Sequence, residues 1–269
     1  MRIKAGYDIA FECTSETPIL LMVHIRPERH GDLAAPEELV LSPQVPYRTY
    51  IDHFGNVCTR LVAPAGRLAI SNRFVINDNG LPEDVPEGAH QHLIDELPDD
   101  VLLFLLGSRY CETQRLLTMA WSLFGTLPAG WPLVKAILNY THNRIAFGYT
   151  YARADRTAWE AHEERVGVCR DFAHLAIALC RCMNIPARYC TGYLGDIGVP
   201  RDPNPMDFSA WFEVYLGGTW YAMDARHNHP RIGRILMARG RDAADTAISV
   251  AFGSAELVQF TVVTDEMLV

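Results

Sequence analysis

The spacing of apolar residues changes along the chain, and the change divides it in two. Up to about residue 80 the period is two. Tyr7-Asp8-Ile9-Ala10-Phe11-Glu12-Cys13 alternates, residues 19–25 form a short apolar run, and Tyr47-Arg48-Thr49-Tyr50-Ile51-Asp52 alternates again. Residues 57–63 and 67–76 continue the pattern. Successive strand side chains point to opposite faces, so this spacing predicts half-buried strands. Pro, Gly, Asn and Asp separate them, as in a small antiparallel β-sandwich. Its histidines, His24, His30 and His53, read as surface or structural groups.

Residues 77–88 (Asn-Asp-Asn-Gly-Leu-Pro-Glu-Asp-Val-Pro-Glu-Gly) are polar and rich in turn formers. They place a boundary near residue 85, giving an N-terminal β domain over 1–85 and a second domain over 86–269. From Pro98 the period lengthens to that of a helix. Residues 101–106 predict a short buried helix, 112–124 a second with Leu116, Met119, Ala120 and Leu123 on one face, and 131–147 a third with Pro132 in its first turn. Residues 187–194, 210–216 and 219–224 then read as strands, with Gly217-Gly218 as a two-residue hairpin turn. Helices followed by an antiparallel sheet make this half α+β. Three more stretches, 235–238, 247–252 and 257–263, are candidate strands in a tail whose place in the fold the pattern leaves open.

Between these helices and strands lies Gly167-Val168-Cys169-Arg170-Asp171-Phe172-Ala173-His174-Leu175-Ala176. A glycine breaks the chain, and the helical pattern of Phe172, Leu175, Ala176 and Leu179 starts at once, running to Pro186. Cys169 therefore opens a helix. There the free N–H groups and the helix dipole favour negative charge, which predicts a lowered thiol pKa and a nucleophile. Asp171, in the first turn, complements the same dipole.

Charge and cysteine content narrow the classes. The net charge is −8, lysine is rare and no basic stripe appears; nucleic acid is excluded as a partner on that ground. No apolar run is long enough to span a bilayer and the first residues carry no apolar export segment, so a cytoplasmic protein with no membrane partner is expected. The 7 cysteines are an odd, scattered set, expected to be reduced thiols. Cys180-Arg181-Cys182 lacks the second pair a zinc site needs, and no metal or organic cofactor is implied.

The order of these features carries a resemblance. A cysteine opens a helix; Ile185-Pro186-Ala187-Arg188-Tyr189 and Ala210-Trp211-Phe212-Glu213-Val214-Tyr215 follow as strands; a hairpin ends at Asp224. This resembles the bacterial transglutaminase-like superfamily, a papain-like cysteine fold, over residues 130–226, preceded by the kind of N-terminal domain its bacterial members often carry. The resemblance implies an α+β core of helices packed on an antiparallel sheet. It also implies acyl chemistry on a protein or peptide amide through a thioester, and carries the nucleophile to Cys169 and the orienting carboxylate to Asp224.

The family's histidine belongs just before Ala210-Trp211, where this chain has Ser209. With Gly217-Gly218 as the turn, Leu216 faces Thr219, Trp211 faces Asp224 and Ser209 faces Arg226, so Ser209 and Asp224 are diagonal neighbours on one face. Serine has no pKa near neutrality and cannot act as general base. Three readings follow. His227, just past Asp224, supplies the imidazole, with His229 and then His174 as further candidates. Or Cys169 works with Asp224 and water alone. Or catalysis is lost and the groove serves as a peptide- or protein-binding module. A buried Asp224 paired with Arg226 is a structural account of both residues. The oligomeric state is not legible.

Overall fold

The computed structural model describes residues 1–82 and 87–267. The expected boundary at residue 85 lies outside them. Strands β1 (Arg2–Cys13), β2 (Thr17–Leu21), β3 (Val40–Ser42), β4 (Tyr47–Ile51), β5 (Val57–Ala63) and β6 (Gly66–Asn77) lead, as the period of two predicts. Helices α1 (Asp99–Leu102), α2 (Thr113–Phe124) and α3 (Trp131–Arg144) follow, then β7 (Ala146–Phe147), α4 (Ala158–Glu164), β8 (Val166–Gly167) and α5 (Cys169–Cys182). The chain closes with β9 (Ala187–Leu194), β10 (Ser209–Leu216), β11 (Thr219–Met223), β12 (Arg234–Gly240), β13 (Ser249–Ala251) and β14 (Ala255–Glu266).

The first strands form two antiparallel sheets, ordered β14-β1-β6-β3 and β13-β2-β5-β4. Their inner residues, among them Ile3, Tyr7, Ile9, Leu21, Leu61 and Ile70, share one buried cluster. The tail corrects the expected second domain of 86–269. β14 pairs with β1 from Ile3↔Glu266 to Cys13↔Ala255, and β13 pairs with β2. The last strands thus belong to the sandwich. Alternation shows that a segment is a strand but not which sheet edge it completes, and β1 needed a partner beside β6.

The second sheet system, β11-β10-β9-β12, lies between layers. One face packs on α5 through Phe172, Leu175, Leu179, Phe212 and Val214. The other joins the sandwich cluster through Tyr193, Ile235 and Met237. α5 is buried nearly all round because both neighbours are apolar. The α2, α3 and α4 helices cover its remaining sides. The β10–β11 hairpin has the expected register, with Leu216 opposite Thr219. Both turn glycines take positive φ, 55° and 83°, which the two-residue turn requires.

Two details set up the site. α3 ends at Arg144 rather than at 147, because residues 146–147 pair in parallel with 166–167. That pairing fixes the chain's direction as it enters α5. α4, which periodicity did not single out, is capped by Thr157, whose hydroxyl accepts from the Glu160 N–H while Glu160 accepts from the Thr157 N–H. Among the described residues, no helix is long and apolar enough to cross a membrane.

Candidate active site

The start of α5 is built by Asp171. Its Oδ2 accepts from the Val168 N–H at 2.8 Å and from Arg156 Nη1 at 3.1 Å. The carboxylate therefore satisfies an N–H at the helix entry, a more specific task than complementing the dipole. Gly167 is required beside it: a Cβ there would sit 2.6 Å from Asp171 Oδ2. Arg170 leans outward and donates to the carbonyls of Arg153 and Ala154.

Cys169 is partly exposed, whereas the other six cysteines are buried. Its surroundings overturn one expectation. Burial pushes the thiol up to about 11, against the opposing pull of the Ala210 backbone N–H and the Arg226 charge. Asp207 and Asp224 push the same way as burial. The helix terminus alone predicted a lowered pKa; burial of the sulfur outweighs it. At neutral pH the resting group is a thiol.

Asp224 follows β11 and is almost fully buried. Its Oδ2 accepts from His227 Nδ1 at 2.8 Å and from Arg234 Nη2 at 2.9 Å, and its Oδ1 accepts from the His227 N–H at 3.0 Å. Burial by itself would raise this carboxyl, but the His227 hydrogen bonds and the Arg234 charge hold it well below the usual carboxylate range. A carboxylate only accepts, so His227 carries its proton on Nδ1 and leaves Nε2 as an acceptor. Burial lowers the His227 pKa against the raising effect of Asp224, so this imidazole is neutral at pH 7.

The cation on Asp224 is Arg234, not Arg226, the partner that the structural account of these residues would need. Arg234 is backed by the ring of Trp211, 5.0 Å from its guanidinium carbon. Arg226 lies over the Phe147 ring at 3.7 Å and spends its charge toward the thiol. The turn carrying Arg226 is clamped from α3: His142 Nδ1 donates to the carbonyls of Ala225 and Arg226, at 3.1 and 2.9 Å. Asn139 Oδ1 accepts from Asn228 Nδ2 at 2.8 Å. His142 and Arg234 escaped the sequence reading because their partners lie 84 and 10 residues away, across a fold the pattern does not determine.

Ser209, Arg226, His227 and Tyr149 line one cleft of about 260 Å3, together with Val199, Asp202 and Met206 of the preceding loop. The cleft also carries Asp207, whose carboxyl burial pushes up. Among the described residues no hydrogen bond joins His227 to Cys169; the two share Arg226 and Asp224 as charged neighbours. His229 lines the same cleft but is exposed, with Nδ1 toward the Pro230 carbonyl at 3.1 Å. His174 is elsewhere. It is fully buried between Tyr110 and Tyr189, and its Nε2 accepts from the Ala243 N–H at 3.1 Å. It is a packed core histidine that burial keeps neutral. No group of three or more His, Cys, Asp or Glu among the described residues is arranged to hold a metal ion.

A model of the transglutaminase-like superfamily matches residues 126–225, a span that takes in Cys169, Ser209 and Asp224 and stops two residues short of His227. A crystal structure from Cytophaga hutchinsonii, described as that of a "putative cysteine protease", is 31% identical and superposes with a TM-score of 0.82, covering 100% of this chain and 92% of that one. An uncharacterised protein of Mycobacterium leprae is 26% identical over 208 residues, 74% of this chain and 73% of its own. An uncharacterised protein of Mycobacterium tuberculosis is 32% identical over 127 residues, 42% of this chain and 40% of its own.

Proposed function

This chain belongs to the transglutaminase-like superfamily, and on that premise we propose that it is a thiol enzyme acting on amide or peptide bonds, with Cys169 as nucleophile, His227 as base and Asp224 as the group that orients the base. The observation that carries the reading is the Asp224–His227 contact, 2.8 Å from Oδ2 to Nδ1. It fixes the tautomer in which Nε2 can take a proton, and it does so in the cleft that Ser209 also lines. An imidazole placed by the turn after β11 replaces one placed by the start of β10.

The chemistry follows from the charges at rest. Thiol and imidazole are both neutral, so the proton must leave sulfur as the carbon–sulfur bond forms. His227 Nε2 takes it directly or through one water. The substrate carbonyl becomes a tetrahedral oxyanion, with the Cys169 N–H at the helix start as donor. Collapse expels the amine, which takes the proton back from His227 and leaves a thioester on Cys169. Water, activated by the same Nε2, releases the acid. Hydrolysis rather than crosslinking is the favoured outcome; an amine in place of water would give transfer instead. Arg226 stabilises developing negative charge on sulfur.

Trapping the thioester tests this. The purified chain is incubated with activated acyl amides and peptide pools, quenched in acid and read by intact-mass spectrometry. An adduct on Cys169 that hydroxylamine removes is expected, and it should be absent in Cys169→Ala and strongly reduced in His227→Ala. Equal adduct in the His227→Ala chain overturns the assignment of the base. A second reading, a peptide-binding module without catalysis, is favoured by Ser209 and by the raised thiol. Saturable peptide binding with no adduct at any pH up to 10 selects it.

A further inference from the structure

The solvent face of the β13-β2-β5-β4 sheet carries an arrangement that the cleft chemistry does not use. β4 is an edge strand with all five residues exposed. Arg48 on β4 stands directly opposite Arg60 on β5. Like charges in that position destabilise a sheet. Both side chains are exposed, and among the described residues neither guanidinium has a carboxylate within ion-pair range. The acid at the end of β4, Asp52, is committed to its own turn, where it accepts from the Phe54 and Asn56 N–H groups and from Asn56 Nδ2. Among the described residues, a chain of net charge −8 thus leaves two adjacent arginines with no ion-pair partner.

The surface around them is apolar. Val62 is 51% exposed, Phe252 62% and Tyr50 44%. Together with Pro18 and Leu20 they border a groove of about 930 Å3 that runs past both arginines. Exposed apolar area of this kind, interrupted by charge of one sign, marks an interaction surface. We propose that this face docks an extended acidic segment of a partner protein, whose carboxylates sit between Arg48 and Arg60 and whose apolar side chains cover Val62 and Phe252. A carboxylate there removes the arginine–arginine repulsion as well as forming charge-assisted hydrogen bonds. A nucleic-acid backbone would supply the charge but leave Val62 and Phe252 wet. A second copy would bring a further pair of arginines to the contact.

The probe is a fluorescein-labelled, acetylated octapeptide of alternating glutamate and phenylalanine, followed by anisotropy against the full chain. Saturable binding is expected, weakening as salt rises. Arg60→Glu should weaken it by about tenfold or more, the loss of one charge-assisted contact plus a new repulsion. The same substitution places a carboxylate opposite Arg48 and should raise Tm, so lost binding cannot be blamed on lost folding. Val62→Ser should weaken binding without altering its salt dependence. The proposal is overturned by any of four results: no saturation at millimolar chain, equal binding of a lysine–phenylalanine peptide, tighter binding of oligothymidylate, or a concentration-dependent dimer that Arg60→Glu abolishes.

Discussion

Asp224 Oδ2 accepts two hydrogen bonds, one from His227 Nδ1 at 2.8 Å and one from Arg234 Nη2 at 2.9 Å. The carboxylate is thereby held ionised in a buried position, and the imidazole is held in one tautomer. Asp224→Asn removes both effects and leaves the Arg234 guanidinium buried beside a neutral amide. Turnover of whichever amide substrate forms the thioester should fall about 10²- to 10⁴-fold in kcat/KM. Urea unfolding should show a stability loss of about 3 kcal/mol. A kcat/KM within threefold of the parent would mean that the pair is structural.

The same contact predicts how stability depends on acid. The folded pKa of Asp224 lies below its unfolded value, so the carboxylate stabilises the fold above that unfolded value, about 3.9. The contribution is lost progressively as pH falls below about 5. Urea midpoints measured from pH 7 down to pH 3 should therefore fall less steeply in Asp224→Asn than in the parent.

Activity should depend on pH through a different pair. His227 must be unprotonated to act, and its pKa is held below the usual imidazole value of about 6.5. The kcat/KM profile should rise through an acid limb below that value and be level across neutrality. Since Asp224 raises the His227 pKa, the limb should move to lower pH in Asp224→Asn. In the resting protein the Cys169 thiol, near 11, should alkylate slowly at pH 7. Its rate with iodoacetamide should climb about tenfold per pH unit from 7 to 10, following the thiolate fraction. A plateau below pH 9 would contradict the dominance of burial over the helix terminus.

Ser209→His puts an imidazole at the start of β10, next to the Ala210 N–H that faces the sulfur. If His227 is the working base, the substitution should change kcat/KM by less than about tenfold, because the role is already filled. In a His227→Ala background it should restore most of the lost activity. A gain of a hundredfold or more in the parent background would show that the wild type has no working base.

Gly167→Ala tests the entry to α5. The added methyl meets Asp171 Oδ2 and Cβ at 2.6 and 2.7 Å, and this carboxylate is pinned by Val168 and Arg156. A stability loss of about 1–3 kcal/mol in urea unfolding is expected. Hydrogen exchange of the first α5 amides should rise with it.

The sequence by itself determined the local structure around the nucleophile. Gly167 ahead of an amphipathic run put Cys169 at a helix start, and Gly217-Gly218 set the β10–β11 register, Leu216 opposite Thr219, that ends just before Asp224. Both rest on contacts a few residues long, where backbone freedom and side-chain period decide the outcome. Tertiary structure decided the rest. Which cation meets Asp224 depends on how β12 crosses beside β9, and the answer is Arg234 rather than the nearer Arg226. The return of β13 and β14 to the sandwich depends on which sheet edges lack a partner. The thiol pKa depends on how completely the packed core buries the sulfur, and burial is a property of layers packed together. A helix terminus favours a thiolate; it was the packing of the whole domain that made the resting group a thiol.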